Sequence, residues 1–128
     1  MSQNIIKDKS FAFAIRIVNL CKYLNSEKKE DVLSEQILLS GTAIGAWVRQ
    51  AEYAERSTDF IGKMSIALKE ANKTEYWISL LYETDYLDKK ANDSLSQDIK
   101  EILKLLTSII RQQKSTIIIN CQLLLINC

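Results

Sequence analysis

The side chains most often used for enzyme chemistry are absent from this sequence or lack a suitable partner. The chain has no histidine among its 128 residues. Catalytic sites that depend on imidazole, and zinc or di-iron sites that contain histidine, are therefore excluded as they are usually built. No glycine-rich phosphate loop and no nucleophile paired with a base occurs either. These features predict a protein that is not an enzyme and that holds no cofactor or metal.

The cysteines and the chain's apolar segments indicate a cellular compartment. The chain has three cysteines (Cys21, Cys121 and Cys128). An odd number with no closely spaced pair predicts free thiols in a reducing environment. The first ten residues, MSQNIIKDKS, lack the apolar centre of a secretory signal. No uncharged run reaches the ~18 residues that a membrane span needs. We therefore expect a cytoplasmic protein with no membrane span.

The charges are balanced, which leaves only local basic groups as candidates for nucleic-acid binding. Seventeen Lys and Arg residues oppose sixteen Asp and Glu residues, for a net charge of +1. Acidic neighbours interrupt the basic residues, so a solvated face of mixed charge is the favoured interpretation. RNA or DNA binding remains the alternative. Its weak candidates are Arg49, Arg56, Lys63, Lys69 and Lys73.

Composition and periodicity predict a helical bundle. The chain has no proline, three glycines and 47% hydrophobic residues, a composition typical of long helices. Apolar spacing predicts four of them. The first is expected at Phe11–Leu24 with Ser10 as its N-cap, and the second at Glu30–Glu55. The third is capped by Ser57 or Thr58 and ends at Tyr82 or Thr84. The fourth starts between Asp88 and Ser94 and continues to Lys114. Residues 1–114 thus form the bundle domain. Residues 115–128 form an uncharged apolar extension that packs on a partner or is weakly ordered, with a membrane anchor as the minority interpretation.

The first helix carries two apolar stripes, which together cover more than half of its circumference. One contains Phe11, Ile15 and Val18, with Ala14 and Cys21, and the other contains Phe13, Ile17, Leu20 and Leu24. A helix in a four-helix domain has a solvent side, so we assign the second stripe to contact with another subunit. The alternative is a helix in the middle of the bundle. Apolar residues off the main stripe of the third helix extend the set. The interface candidates are Phe13, Ile17, Leu20, Leu24, Trp77 and Leu80.

Two further features have structural interpretations. Gly41 and Gly45 lie inside a predicted helix, where glycine costs ~1 kcal/mol relative to alanine, so they mark close helix packing or a kink.

Glu75 lies within an apolar face and must be paired, protonated or able to reach water. We expect a buried structural carboxylate, held by an arginine such as Arg16, Arg49 or Arg56. No second carboxylate or base shares its stripe, which disfavours catalysis.

Residues 33–87 carry a recognisable pattern. The segments EQILLSGTAIGA (35–46), STDFIGKMSIALKEANKTEYWISLL (57–81) and YETDYL (82–87) resemble the bacterial four helix bundle protein family. That family is also named for open reading frames in intervening sequences of ribosomal RNA genes, and the resemblance covers about residues 10–114. Positions that match its pattern are Ser40, Gly41, Asp59, Phe60, Glu70, Glu75, Tyr76 and Trp77. Trp47 and Gln50 depart from it, since the family usually has Asn and Glu there.

The resemblance implies an architecture and an assembly. The fold it implies is all-α, an antiparallel up-down-up-down four-helix bundle, commonly assembled as a ring of five copies. A relative, the accessory variability protein of diversity-generating retroelements, forms a basic ring that binds reverse transcriptase and nucleic acid. The near-neutral charge of this chain departs from that relative. We therefore expect a non-enzymatic, self-assembling scaffold or adaptor, a homopentamer whose main partner is itself. A protein or nucleic acid on the mixed-charge face is the alternative partner.

Overall fold

Four α-helices form an antiparallel bundle. A computed structural model describes residues 2–127 of the chain, and the side chains of residues 4–125. The helices are α1 (Ser2–Ser26), α2 (Val32–Glu52), α3 (Ser57–Glu83) and α4 (Lys89–Asn127). Connections of four or five residues join them, so consecutive helices run in opposite directions. Each helix packs on two neighbours in the cyclic order α1, α2, α3, α4. The predicted all-α, up-down-up-down four-helix bundle is confirmed.

A single apolar core runs through the bundle, and each helix contributes one stripe to it. Apolar residues recur along each helix at spacings of three and four, which places them on one face. The largest fully buried side chains are Phe13, Ile6, Ile17, Leu24, Ile37, Ile44, Met64, Ile78, Leu81, Ile99, Ile102 and Leu106. Among the described side chains, no buried polar atom lacks a hydrogen-bond partner. The core is therefore closed within one copy of the chain.

The first helix begins nine residues earlier than the sequence predicts. Ser10 is not its N-cap but lies inside it, fully buried, and its hydroxyl donates a hydrogen bond to the Lys7 carbonyl at 3.2 Å. Ile6, one turn before Ser10, is also fully buried. Because core packing holds these extra turns, the helix extends past the local start signal.

The starts of α2 and α3 differ from the predicted ones, whereas α4 begins within its predicted range. Glu30 lies before α2 rather than inside it, and its carboxylate accepts hydrogen bonds from the backbone N–H groups of Val32, Leu33 and Ser34. Asp88 caps α4, since its Oδ1 accepts from the Ala91 N–H at 2.8 Å. The N-cap of α3 is Arg56, with no capping side-chain hydrogen bond, so the prediction of a Ser57 or Thr58 cap is wrong.

The C-terminal extension continues α4. The helix passes Lys114 without a break and ends at Asn127. From residue 118 to residue 125 every side chain is exposed. Cys128 lies outside the described residues. Within the described part of the chain, none of the helices has a stretch both long and apolar enough to cross a bilayer.

Candidate assembly surfaces

The stripe of α1 that the sequence assigns to a subunit interface lies in the core of the bundle. Phe13, Ile17 and Leu24 are at most 2% exposed and belong to the core of their own chain. They have no surface left for a neighbouring subunit, so their assignment to an interface is wrong. Leu20, assigned to the same stripe, is half-buried and packs against the core.

The other stripe of α1 lies on the surface. Phe11 is 52% exposed, Ile15 is 49% exposed and Val18 is also exposed, and we call these three residues the α1 face. Their spacing of four and three residues places them on one side of the helix. The Arg49 guanidinium of α2 lies 5.0 Å from the centroid of the Phe11 ring, within the range of a cation–π contact. Cys21, assigned to this stripe from the sequence, is instead buried.

A second apolar surface lies between α2 and α3. Leu39 and Tyr76 are both about 60% exposed, and Trp77 beside them is half-buried. The Tyr76 and Trp77 rings meet edge to face, with centroids 5.0 Å apart. Together with Gln36, Ser40, Glu70 and Lys73 these residues line an open groove of about 390 Å³, which we call the α2–α3 groove. Leu80, three residues after Trp77 and also half-buried, continues along α3.

Glu75 does not form the predicted arginine clamp. It is half-buried rather than buried. Arg16 instead pairs with Asp98 and donates a hydrogen bond to the Ser94 hydroxyl at 2.9 Å, while Arg49 stacks over Phe11. Among the side chains described, Glu75 makes no ion pair within 4.0 Å. Its position on the helix lets the carboxylate reach water, which was one of the alternatives for this residue.

The glycines of α2 lie where α1 approaches. A Cβ atom built on Gly41 would lie 2.8 Å from Ile17 Cγ1, closer than real Cβ contacts come. A Cβ atom on Gly45 would lie 3.4 Å from the Ser10 carbonyl oxygen, which is ordinary contact. Gly41 is therefore the tight point between α1 and α2. The adjacent Ser40 hydroxyl lies 3.0 Å from that of Thr74, in a buried polar contact with α3.

The five candidate nucleic-acid residues are spread from the end of α2, through the connection, to the middle of α3. Arg49 is on α2, Arg56 precedes α3, and the three lysines follow along α3. Lys73 forms an ion pair with Glu70 at 3.4 Å, and Lys63 is half-buried. Because Lys73 pairs with Glu70 and Arg49 stacks over Phe11, two of the five cations have partners within the chain, which reduces the charge available to a phosphate backbone.

Ion pairs join α1 to its two neighbours. Lys7 lies 3.2 Å from Glu52 of α2, and Lys9 lies 2.9 Å from Glu101 of α4. Hydrogen bonding and charge attraction from Lys9 lower the pKa of the Glu101 carboxyl below its usual value. Arg16 and Asp98 form a second pair between α1 and α4.

The Cys21 thiol is buried inside the bundle. Burial raises the pKa of the Cys21 thiol to about 11, and its Sγ lies 3.2 Å from the Ser34 carbonyl oxygen as a hydrogen-bond donor. That thiol is a packed core group rather than a nucleophile. Between residues 2 and 127 no three metal-binding side chains cluster together. The arrangement is suited to contacts between surfaces, through the α1 face and the α2–α3 groove.

Comparison with known proteins adds a family. The model of the 23S rRNA-intervening sequence proteins matches residues 2–108. The chain is also similar to a crystal structure of a protein of unknown function from the S23 ribosomal protein family of Bacteroides thetaiotaomicron VPI-5482. The two are 56% identical, the match covers 87% of this chain and 99% of that one, and the TM-score is 0.86. No curated protein matches the chain.

Proposed function

The chain belongs to the 23S rRNA-intervening sequence protein family, and we propose that it is a non-enzymatic scaffold or adaptor that assembles with copies of itself. One observation carries the proposal. The α1 face leaves Phe11, Ile15 and Val18 exposed although the core of the chain is already closed without them. Apolar side chains aligned on one side of a helix lose contact with water only if another surface covers them.

The α2–α3 groove is the surface that fits this role. It offers Leu39 and the aromatic pair Tyr76 and Trp77, and aromatic residues are enriched at the centres of protein interfaces. The polar residues that line it give the groove a charged margin, as the rim of an interface has. The α1 face of one copy thus packs into the α2–α3 groove of the next.

Contact between two different surfaces favours a ring. Such a heterologous interface leaves one surface free at each end of a growing chain of copies, and closure of a ring covers both. The number five comes from the family resemblance, and five copies of a 14.7 kDa chain give a mass of ~74 kDa. The cellular process would then depend on what the ring holds together.

A substitution in the α1 face tests the scaffold. Ile15→Lys places a charge in the proposed interface, and we expect the ~74 kDa assembly of five 14.7 kDa chains to be lost. Light scattering after gel filtration measures the mass, and circular dichroism checks that the helices persist. Ala12→Lys is the matched control, since Ala12 is exposed on α1 but lies on the side of the helix toward α4, outside the α1 face. A wild-type mass near that of one chain would refute the proposal.

Nucleic-acid binding, the alternative, has less support. Arg49 stacks on an aromatic ring and Lys73 pairs with a carboxylate, so both are engaged within the chain. The remaining candidates are Arg56, Lys63 and Lys69. Three cations per copy do not make a basic surface by themselves.

A further inference from the structure

The last turns of α4 extend beyond the bundle. Helix α4 has 39 residues whereas α3, which is antiparallel to it across the turn at residues 84–88, has 27. At ~1.5 Å per residue, roughly 18 Å of α4 therefore has no turn of α3 beside it. We call residues 115–127 the α4 extension. The family match ends at residue 108, before the extension begins.

The α4 extension is unlike the rest of the protein surface. It contains no charged residue, whereas Lys100, Lys104, Arg111 and Lys114 occupy the outward side of the preceding turns. Large aliphatic side chains stand in solvent along it, among them Leu124 at 67% and Leu125 at 77% exposure. A solvated apolar surface of this length marks an interaction site.

The sequence of the extension has the period of a coiled coil. Ile117, Cys121 and Leu124 follow one another at spacings of four and three, which forms a continuous apolar seam. The tripeptide Ile-Asn-Cys occurs at 119–121 and again at 126–128, seven residues later. A seven-residue repeat keeps one side of a helix facing a partner helix of the same kind.

We propose that the α4 extension packs along the α4 extension of a second copy of this chain, through the seam of Ile117, Cys121 and Leu124. The absence of charged residues in the extension favours this partner over a nucleic acid or a membrane. A segment without any charge complements another uncharged segment, and it offers no cation to a phosphate group. Helices that lie on membranes carry Lys or Arg on their polar side, whereas the polar residues here are Ser, Thr, Asn and Gln. The proposal does not require the ring.

Charge placed on the seam tests the proposal in the full-length chain. The test variant is Cys121→Lys with Leu124→Lys, both at exposed positions. The matched control is Ser115→Lys with Gln122→Lys, also exposed, which adds the same charge to the side of the helix away from the seam. Both pairs are made in the wild-type chain and in the Ile15→Lys chain. The second background separates the extension from the α1 face.

Sedimentation velocity over a range of concentrations gives the dissociation constant. In the Ile15→Lys background we expect the chain to associate through the extension. The seam variant should raise the dissociation constant about tenfold or more, because two lysines would have to be buried in an apolar contact. The control should leave it within about twofold.

Three results would overturn the proposal. The first is an Ile15→Lys chain that stays monomeric at all concentrations while the α1 face is shown to assemble the wild type. The second is a seam variant that associates as strongly as its control. The third is binding of the chain to phosphatidylcholine vesicles that the seam variant abolishes without any change in self-association. If Ile15→Lys leaves the wild-type assembly intact and the seam variant dissociates it, the ring fails and the extension stands.

Discussion

Close contact between α1 and α2 depends on the absence of one side chain. Gly41 faces Ile17, which is fully buried, and the nearest Ile17 atoms are the γ carbons and Cβ of a branched side chain. A β-branched side chain in a helix has one strongly preferred χ1 rotamer and cannot easily rotate away. Gly62 on α3 is the opposite case, because no atom lies within 4 Å of a Cβ built there. The same residue type therefore has opposite consequences at the two positions.

Alanine at each glycine should separate these effects. Gly41→Ala gains ~1 kcal/mol of helix propensity but loses more through overpacking, so we expect a net destabilisation of about 1–2 kcal/mol. Gly62→Ala should stabilise the protein by ~0.5–1 kcal/mol. Urea unfolding followed by circular dichroism at one protein concentration measures both. A Gly41→Ala protein at least as stable as the wild type would contradict the close packing.

At the scale of the element, the start of α2 is held by a side chain outside the helix. Glu30 is buried, and its carboxylate accepts from three of the first backbone N–H groups of α2, which have no partner inside the helix. Its negative charge also lies at the positive end of the helix dipole. Asp31, at the N-cap position itself, makes no capping side-chain hydrogen bond. The capping side chain is thus that of the residue before the N-cap position.

Removal of this carboxylate should weaken α2 at its start. We expect Glu30→Ala to lower the free energy of unfolding by about 1–2 kcal/mol, because three N–H groups lose their acceptor in a partly buried site. Glu27→Ala, at an exposed position in the same connection, should change it by less than ~0.5 kcal/mol. Thermal unfolding compares the two variants. Equal stability of both would show that solvent replaces the cap.

At the scale of the whole molecule, ion pairs connect the first helix to the last. Two ion pairs, Lys9 with Glu101 and Arg16 with Asp98, join residues that are more than 80 positions apart in the chain. Contacts of this kind close the cyclic order of the bundle. Because the groups are partly exposed, solvent and salt screen them and each pair contributes modestly.

The Lys9–Glu101 pair makes stability depend on acid pH. The pKa of Glu101 is lower in the folded chain than its ordinary value of 4.5, chiefly through the Lys9 hydrogen bond. The pair therefore stabilises the fold above pH ~4.5, and this contribution is lost as pH falls through the lowered pKa. Lys9→Met should reduce stability at neutral pH, and the difference from wild type should vanish in acid.

Unfolding in urea at neutral pH and below pH ~3 measures this difference. Lys100→Met is the charge-matched control, since Lys100 is exposed on the same helix as Glu101. We expect Lys100→Met to change the free energy of unfolding by the same amount at both pH values. A Lys9→Met effect of equal size at both would mean that Lys9 acts through packing of its aliphatic stem.

How far the sequence predicts this protein varies from helix to helix. On α4 the apolar residues at helical spacing are buried as that periodicity indicates, namely Leu95, Ile99, Ile102, Leu106, Ile109 and Ile110, while Leu103 beside them is half-buried. Helix α1 is harder, because both of its stripes are apolar and each satisfies the helical period. The residues that identify the buried stripe lie before Phe11. Ile6 and Ser10 extend the Phe13 stripe toward the N-terminus, and both are buried. Local signals do not predict this longer helix, because Ser10 resembles a helix start.

The sequence by itself determined the helical class, the number of helices, the family resemblance and the presence of more apolar surface than one bundle needs. These follow from local periodicity and composition, which act within each segment. Only the tertiary structure decided that Phe11, Ile15 and Val18 face outward, that Glu30 and Asp88 cap their helices, and that Arg16 pairs with Asp98 rather than Glu75. Each of these depends on which helix lies beside which and at what rotation. Rotation about a helix axis is set by the fit of side chains between neighbours, and no single segment contains that information.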